Sequence, residues 1–229
     1  MPSYLATVLI ALVVCVFLHL AAILLAGFAA GVELRHFSFG IGPRLWKLRR
    51  FELKLFPFAG NVEFRNFRSE EVDATDPDVL SGSTEAFRYL DLQPRYRRVL
   101  ISLSGCAALF LLACAVLGSR AGIELVRGFG QIIGGALSPL DAAQGLLESA
   151  QRQLFQFSPA HILALVAVKL AALNLLPFVP FNGASAIGVA LPVNAVTSYW
   201  WEQWTRMTIW ISIAMSLSWL VALTVYLGR

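Results

Sequence analysis

Few side chains in this 229-residue chain are able to take part in chemistry, and their spacing narrows what they can do. His19 and Cys15 stand four residues apart, which puts an imidazole and a thiol on one helical face. With the amide oxygen of Asn182 they would supply three donors to a metal ion, the number a zinc site needs before its open position. Read more plainly, His19 is a polar residue hydrogen-bonded to a backbone carbonyl or to Asn182. His36 follows the first apolar run and lies near its end. His161 precedes Asn174 by about 13 residues, roughly 20 Å along a helix, and so cannot join His19. Lys169 sits in the middle of an apolar run, where a charge costs about 2.5–3.5 kcal/mol. Such a lysine must snorkel, bind a carbonyl or meet a partner's intramembrane carboxylate. Cys15, Cys106 and Cys114 all lie in apolar stretches, read as small buried hydrophobes with no disulfide framework.

The elements that must position these residues are set by composition. The chain is 58% hydrophobic and 14% charged, against about 45–50% and 25% in soluble domains. That excludes a soluble globular enzyme, a disordered tail and a nucleic-acid module, and predicts one membrane domain over residues 1–229. Residues 3–31 carry no Lys, Arg, Asp or Glu, enough for a bilayer core that takes about 20 residues. The run lacks a basic start and is too long for a signal peptide. Further spans are predicted over 99–117, 159–177 and 207–227, with a short buried helix over 182–196. The fold class is thus an all-α multi-pass membrane protein of about four transmembrane helices, with a small membrane-associated β-hairpin or sheet after the first.

Residues 32–98 hold twelve of the 18 Lys+Arg and ten of the 14 Asp+Glu. Basic loops stay cytoplasmic, so the N-terminus is expected outside, 32–98 inside and 120–157 outside, in an inner or plasma membrane if the source is bacterial. Lipid headgroups account for the basic residues without a nucleic-acid partner. Within 36–98, Trp46–Arg49 and Phe51–Leu55 alternate apolar and polar, with a phase change that predicts a hairpin turn at Arg49-Arg50. Val62–Arg65 resumes the alternation after an expected Gly60-Asn61 turn, 69–78 reads as an acidic linker, and 84–92 as a short amphipathic helix. Ser138-Pro139-Leu140-Asp141 reads as a helix start, with Leu140, Leu147, Ala150 and Leu154 on one face of an amphipathic helix in the outer loop. Trp200, Trp201 and Trp204 read as a bilayer anchor.

Five stretches carry a resemblance. They are Leu18-His19-Leu20-Ala21-Ala22-Ile23; Phe37-Ser38-Phe39-Gly40-Ile41-Gly42-Pro43-Arg44-Leu45; Leu55 to Val62; Ser104 to Leu109; and Asn174-Leu175-Leu176-Pro177-Phe178-Val179-Pro180-Phe181-Asn182-Gly183. In order and spacing the chain resembles the site-2 protease family of intramembrane zinc metalloproteases over nearly its whole length. The resemblance implies two histidines four apart and a later aspartate as zinc ligands, with a glutamate beside the first histidine as general base. His19 keeps the first place, while Leu20 stands for the glutamate, Ile23 for the second histidine and Asn182 for the aspartate. A leucine takes up no proton and an isoleucine holds no cation. The loop 120–157 is too short for the PDZ domains that many members carry.

The resemblance also implies a groove beside the broken segment, for which Phe56, Gly60, Asn61, Asn174, Pro177, Gly183 and Lys169 are the candidate lining residues. The leading expectation is a pseudoprotease without zinc that binds a membrane protein or transmembrane peptide as a subunit, chaperone or regulator, the β-element adding a strand from the partner. The alternatives are a structural subunit of a larger membrane complex with no groove function, and an active metalloprotease with unorthodox ligands, Cys15 among them.

Overall fold

A computed structural model of the chain describes residues 2–67, 88–191 and 199–228. Helix α1 (Pro2–Ala29) leads into strands β1 (Leu34–Leu48) and β2 (Phe51–Phe64). Six further helices follow: α2 (Arg95–Leu117), α3 (Arg120–Leu137), α4 (Ala142–Gln156), α5 (Pro159–Asn174), α6 (Asn182–Ala190) and α7 (Tyr199–Leu227). Among the described residues, three helices are long and apolar enough to cross a membrane: Ala6–Ala29 within α1, α2 and α7. The expected multi-pass helical architecture with a hairpin after its first helix is therefore present.

α5 is shorter than its predicted span. Ser158 starts it, its Oγ accepting from the His161 N–H at 3.4 Å, with Pro159 at the first helical position. The helix ends at Asn174 after 16 residues, about 24 Å against a bilayer core of about 30 Å. Residues 175–181 then run without regular helix to α6. α5 is nonetheless central. Ala167 and Ala171 pack with Cys15 of α1 and Leu109 of α2, while Val168 packs with Ala113 of α2 and Ala121 of α3. Small side chains bring apolar helices close, the packing that holds helices together where lipid removes the hydrophobic drive.

The structure corrects several sequence expectations. Residues 120–157 hold two helices rather than a loop with one. α3 escapes sequence reading because its glycines lower helix propensity, yet two of them lie on its contact face. Gly128 lies against Ala172 and Lys169, and Gly135 against the Trp219 ring. α4 begins at Ala142, because Ser138 ends α3 and Pro139 lies in the turn between the two helices. Residues 88–92 are turns rather than helix, since Pro94 sets the start of α2 just beyond them. The remainder of the expected 84–92 helix and the acidic linker 69–78 lie outside the described residues. α7 begins before its predicted span and includes the tryptophan cluster. Trp201 packs over Gly188 of α6, whereas Trp200 is exposed.

The hairpin turn falls at Arg49-Arg50, with Arg49 at φ 52°. No turn interrupts β2 at Gly60-Asn61, however: Asn61 lies opposite Ser38 and Gly60 opposite Phe39. The strands are long and bent, so Phe37, Ser38 and Phe39 also face Phe51, Glu52 and Leu53. Gly40 (φ 100°) makes the bend, and a side chain there would come within 2.8 Å of the Lys54 carbonyl. Leu34, Phe37 and Phe64 pack with Val16, Leu20, Val32 and Ile101. The far end of the hairpin projects with Leu45, Trp46, Leu48 and Phe56 exposed.

Charge ties the two ends of β2 to the residue that precedes β1. Arg50 and Arg65 bind the two oxygens of Glu33 at 2.5 and 3.0 Å, and Arg65 also bonds the Tyr89 hydroxyl and covers its ring. The Arg50 and Arg65 hydrogen bonds hold the Glu33 carboxyl below the ordinary glutamate range.

Candidate functional site

The site is built from α1, α2 and α6 with a strand along one side. His19 is buried on α1 and lies against Gly105 of α2, where a Cβ would come within 2.5 Å of its Nδ1. Glycine at 105 is therefore what lets the imidazole fit between the two helices. Asn182, the first residue of α6, completes the arrangement. Its Nδ2 donates to the Ser102 carbonyl at 2.8 Å and lies 3.3 Å from His19 Nε2.

These contacts fix the chemistry. The Ser102 carbonyl accepts only, so the nitrogen of the amide must face it. The second N–H of that nitrogen then points to Nε2, which accepts it as the neutral imidazole with its proton on Nδ1. The Nε2 lone pair is thus engaged by an amide proton. Nδ1 lies against the Gly105 backbone. Leu20, next to His19, is buried with Val16, Phe37, Phe64 and Ile101, and its Cδ1 packs on the Gly60 backbone.

A groove of about 740 Å³ opens beside these residues. His19, Leu20 and Ile23 form one wall and Phe58 to Val62 another, with Asn174, Phe181 and Asn182 opposite. Gly60, Asn61 and Val62 thus pair with β1 on one side and line the groove on the other.

Of the residues singled out from sequence, the structure brings His19, Leu20, Ile23, Asn182, Gly60, Asn61 and Asn174 to this groove. Four other expected lining residues do not form part of it. Phe56 lies farther out on the hairpin, opposite Ile41. Gly183 is buried against the Leu175 and Leu176 carbonyls, a packing role, and Pro177 lies in the segment before it, off the groove wall. Lys169 lines a separate cavity on another face of α5. Cys15 is fully buried, with its Sγ 3.8 Å from the Leu163 carbonyl, and does not line the groove either. His36 pairs with Glu52 at 2.9 Å, and the His161 ring lies on Phe157.

Sequence reasoning missed Glu124. Its carboxylate and its backbone carbonyl bind Lys169 Nζ at 2.9 and 3.0 Å, so the carboxylate that Lys169 needs comes from this chain's own α3. The signal was present: Glu124 is the only acid between Arg120 and Leu137. Phe58 and Ala59 were also missed, although they adjoin the Gly60-Asn61 pair that was singled out.

The site thus joins a hydrophobic helical scaffold, an imidazole on its first helix beside the entry to a broken segment, and a strand along the groove. The profile of Peptidase family M50 matches residues 7–215, and the chain belongs to this family of intramembrane metalloproteases. With its apolar helices, that membership makes it an integral membrane protein. No curated protein gives a significant match to the chain.

The family implies zinc, and the side chains present do not fit it. A catalytic zinc takes three protein ligands and an open position. The groove offers one imidazole, with its lone pair engaged, and the neutral amides of Asn61, Asn174 and Asn182. Among the described residues, no three His, Cys, Asp or Glu side chains are grouped to hold a metal ion.

Proposed function

We propose that this chain is a catalytically inactive member of its family that receives a segment of another membrane protein in the groove between His19 and the Phe58–Val62 strand. The observation that carries this reading is the His19–Asn182–Ser102 chain of contacts. It spends the imidazole lone pair on holding α6 to α1 and α2, while hydrocarbon fills positions 20 and 23. Proteolysis through a zinc-bound water asks for a general base, worth about 10²–10⁴-fold in rate, and Leu20 supplies none. The strand supports a binding role. An extended segment can pair with the groove-facing edge of Gly60–Val62, main-chain hydrogen bonds giving affinity and the groove walls receiving alternate side chains.

The placement of basic residues supports an orientation with the hairpin and residues 32–98 on the cytoplasmic side and the start of α1 outside, all of the chain forming one membrane domain. The exposed apolar end of the hairpin, with Arg44, Lys47 and Arg49 beside it, suits a headgroup interface.

Two measurements on the full chain purified from membranes test the reading. Metal analysis is expected to give well below one zinc per chain, and a single-span reporter is expected to stay intact. Zinc near one per chain, lost in His19→Ala together with cleavage, would overturn it. Photocrosslinkers at Asn61 and Ile23 are expected to trap a membrane protein in the native membrane. Capture only from Trp210 on α7, which is exposed, would instead establish a structural subunit with no groove function.

A further inference from the structure

A second cavity, of about 490 Å³, lies between α1, α3, α4 and α5. Its walls are largely apolar: Val8 and Leu12 from α1, Leu146 and Leu147 from α4, Leu165 and Val166 from α5. The amphipathic face read from sequence in α4 therefore covers a cavity, with Leu147, Ala150 and Leu154 all lining it. The polar end is formed by Lys169 and Glu124.

We propose that this cavity binds a single-chain lipid carboxylate, its carboxylate on Lys169 and its chain along α5 toward Ile162. Three observations carry this assignment. An ammonium has three N–H groups, and Lys169 uses two on the carbonyl and carboxylate of Glu124. The third has no protein acceptor among the described residues. Next, Arg127 bonds the other Glu124 oxygen at 2.9 Å, so Lys169, Glu124 and Arg127 form a connected trio with one positive charge in excess. An anion on Lys169 makes the group neutral, which matters most where few waters reach it.

Size selects the rest of the ligand. A helix about 10 Å across would place only about one turn in 490 Å³, so a transmembrane segment is the wrong shape. Small-ligand sites of about 300–1,000 Å³ with apolar walls and a few polar groups have this character. The seven residue steps from Ile162 to Lys169, both of which line the cavity, give a run of about 10 Å along α5, room for about eight carbons of an extended acyl chain, and the lining continues past Ile162 to Phe157. The site is distinct from the His19 groove, the two sharing only Leu170 and Leu173. It stands whether or not the chain is a protease.

The test is a titration of the full chain in nonionic detergent with palmitate, read by native mass spectrometry. Methyl palmitate, the same chain without charge, and phosphatidylglycerol, an anionic two-chain lipid, are the comparison ligands. One palmitate per chain is expected, with methyl palmitate about tenfold weaker, the loss of one hydrogen bond to a charged group. The double variant Lys169→Met/Glu124→Gln removes both charges at once, and is expected to bind palmitate no better than the ester. Leu147→Trp fills the apolar end and is expected to lose both ligands, which keeps the test informative where the double variant fails to fold. Equal retention of palmitate and its ester by wild type, undiminished palmitate binding by folded double variant or Leu147→Trp, or displacement of palmitate by equimolar phosphatidylglycerol would each overturn the proposal.

Discussion

Two polar clusters lie in the helical part of the molecule, and they are built on opposite terms. Around His19 the polar atoms are neutral and tied to one another, the amide of Asn182 bridging an imidazole and the Ser102 carbonyl. Around Lys169 the groups carry full charge, an ammonium on a carboxylate and a carbonyl of the neighbouring helix. On the reading proposed above, the first stands at the position the family resemblance gives to its chemistry and works as a clasp among three helices. The second has no place in that chemistry, yet it is the cluster able to hold a charged ligand. Position in a fold thus says where a reaction was built, and donor chemistry says whether it still runs.

The sharpest way to break this contrast is to give the groove its donors. Ile23→His with Asn182→Asp would set two imidazoles four apart on α1 with a carboxylate across from them. Zinc content is expected to rise from well below one toward one per chain, measured by metal analysis after purification. Asn182→Asp alone is expected to leave it unchanged. If wild type and the double variant bind zinc alike, the loss of donors is not what separates this chain from a zinc enzyme.

Next in size is the charged cluster. Lys169→Met leaves Glu124 with its α5 partner gone, and breaking a buried pair from one side costs about 3–5 kcal/mol. Both side chains keep some exposure, 30% and 21%, so the expected loss is nearer the low end. It is measured as a shift in thermal unfolding in detergent. Adding Glu124→Gln should recover part of the loss, because no carboxylate is then left without its α5 partner and the remaining Arg127 is open to solvent. A single variant as stable as wild type would show the pair to be ornamental to the fold.

The clasp gives a smaller effect of a different kind. Gly105→Ala drives a methyl against the His19 ring, an overpacking worth about 1–3 kcal/mol. His19→Ala in the same chain is expected to return much of it, leaving the clash with the His19 carbonyl, 2.8 Å from the added Cβ. Additive losses in that double-mutant cycle would mean that ring and glycine do not meet.

The two clusters also differ in how far they could be read from sequence. His19, Asn182, Asn174 and Gly60 fall in local patterns whose spacing survives in the chain, so their convergence was legible. The hairpin turn at Arg49-Arg50 was legible too, because strand periodicity changes phase there. What periodicity hides is pairing between distant elements. Glu124 lies 45 residues from Lys169, in a helix whose glycines read as a loop because helix propensity is local while its stability comes from Ala172 and Trp219 across the interface. Phe56 and Lys169 were placed in the groove by proximity in sequence or depth, but strand bending and an adjoining face of α5 carry them elsewhere.

The smallest effect is expected at the edge of the helical body, where Glu33 holds the base of the hairpin through Arg50 and Arg65. These hydrogen bonds depress its pKa in the folded chain. A depressed carboxyl contributes stability that is complete above its unfolded value, near 4.5, and is lost as pH falls through the lower folded value. The pair with Arg50 is half open to solvent, so the contribution is expected to be about 0.5–1 kcal/mol and to shrink with salt. Glu33→Gln should flatten the dependence of unfolding temperature on pH below 4.5 while leaving the Lys169 and His19 variants' effects unchanged, since neither cluster shares a partner with it. A wild-type profile as flat as the variant's would mean that Glu33 adds nothing to the Leu34, Phe37 and Phe64 packing that holds the hairpin.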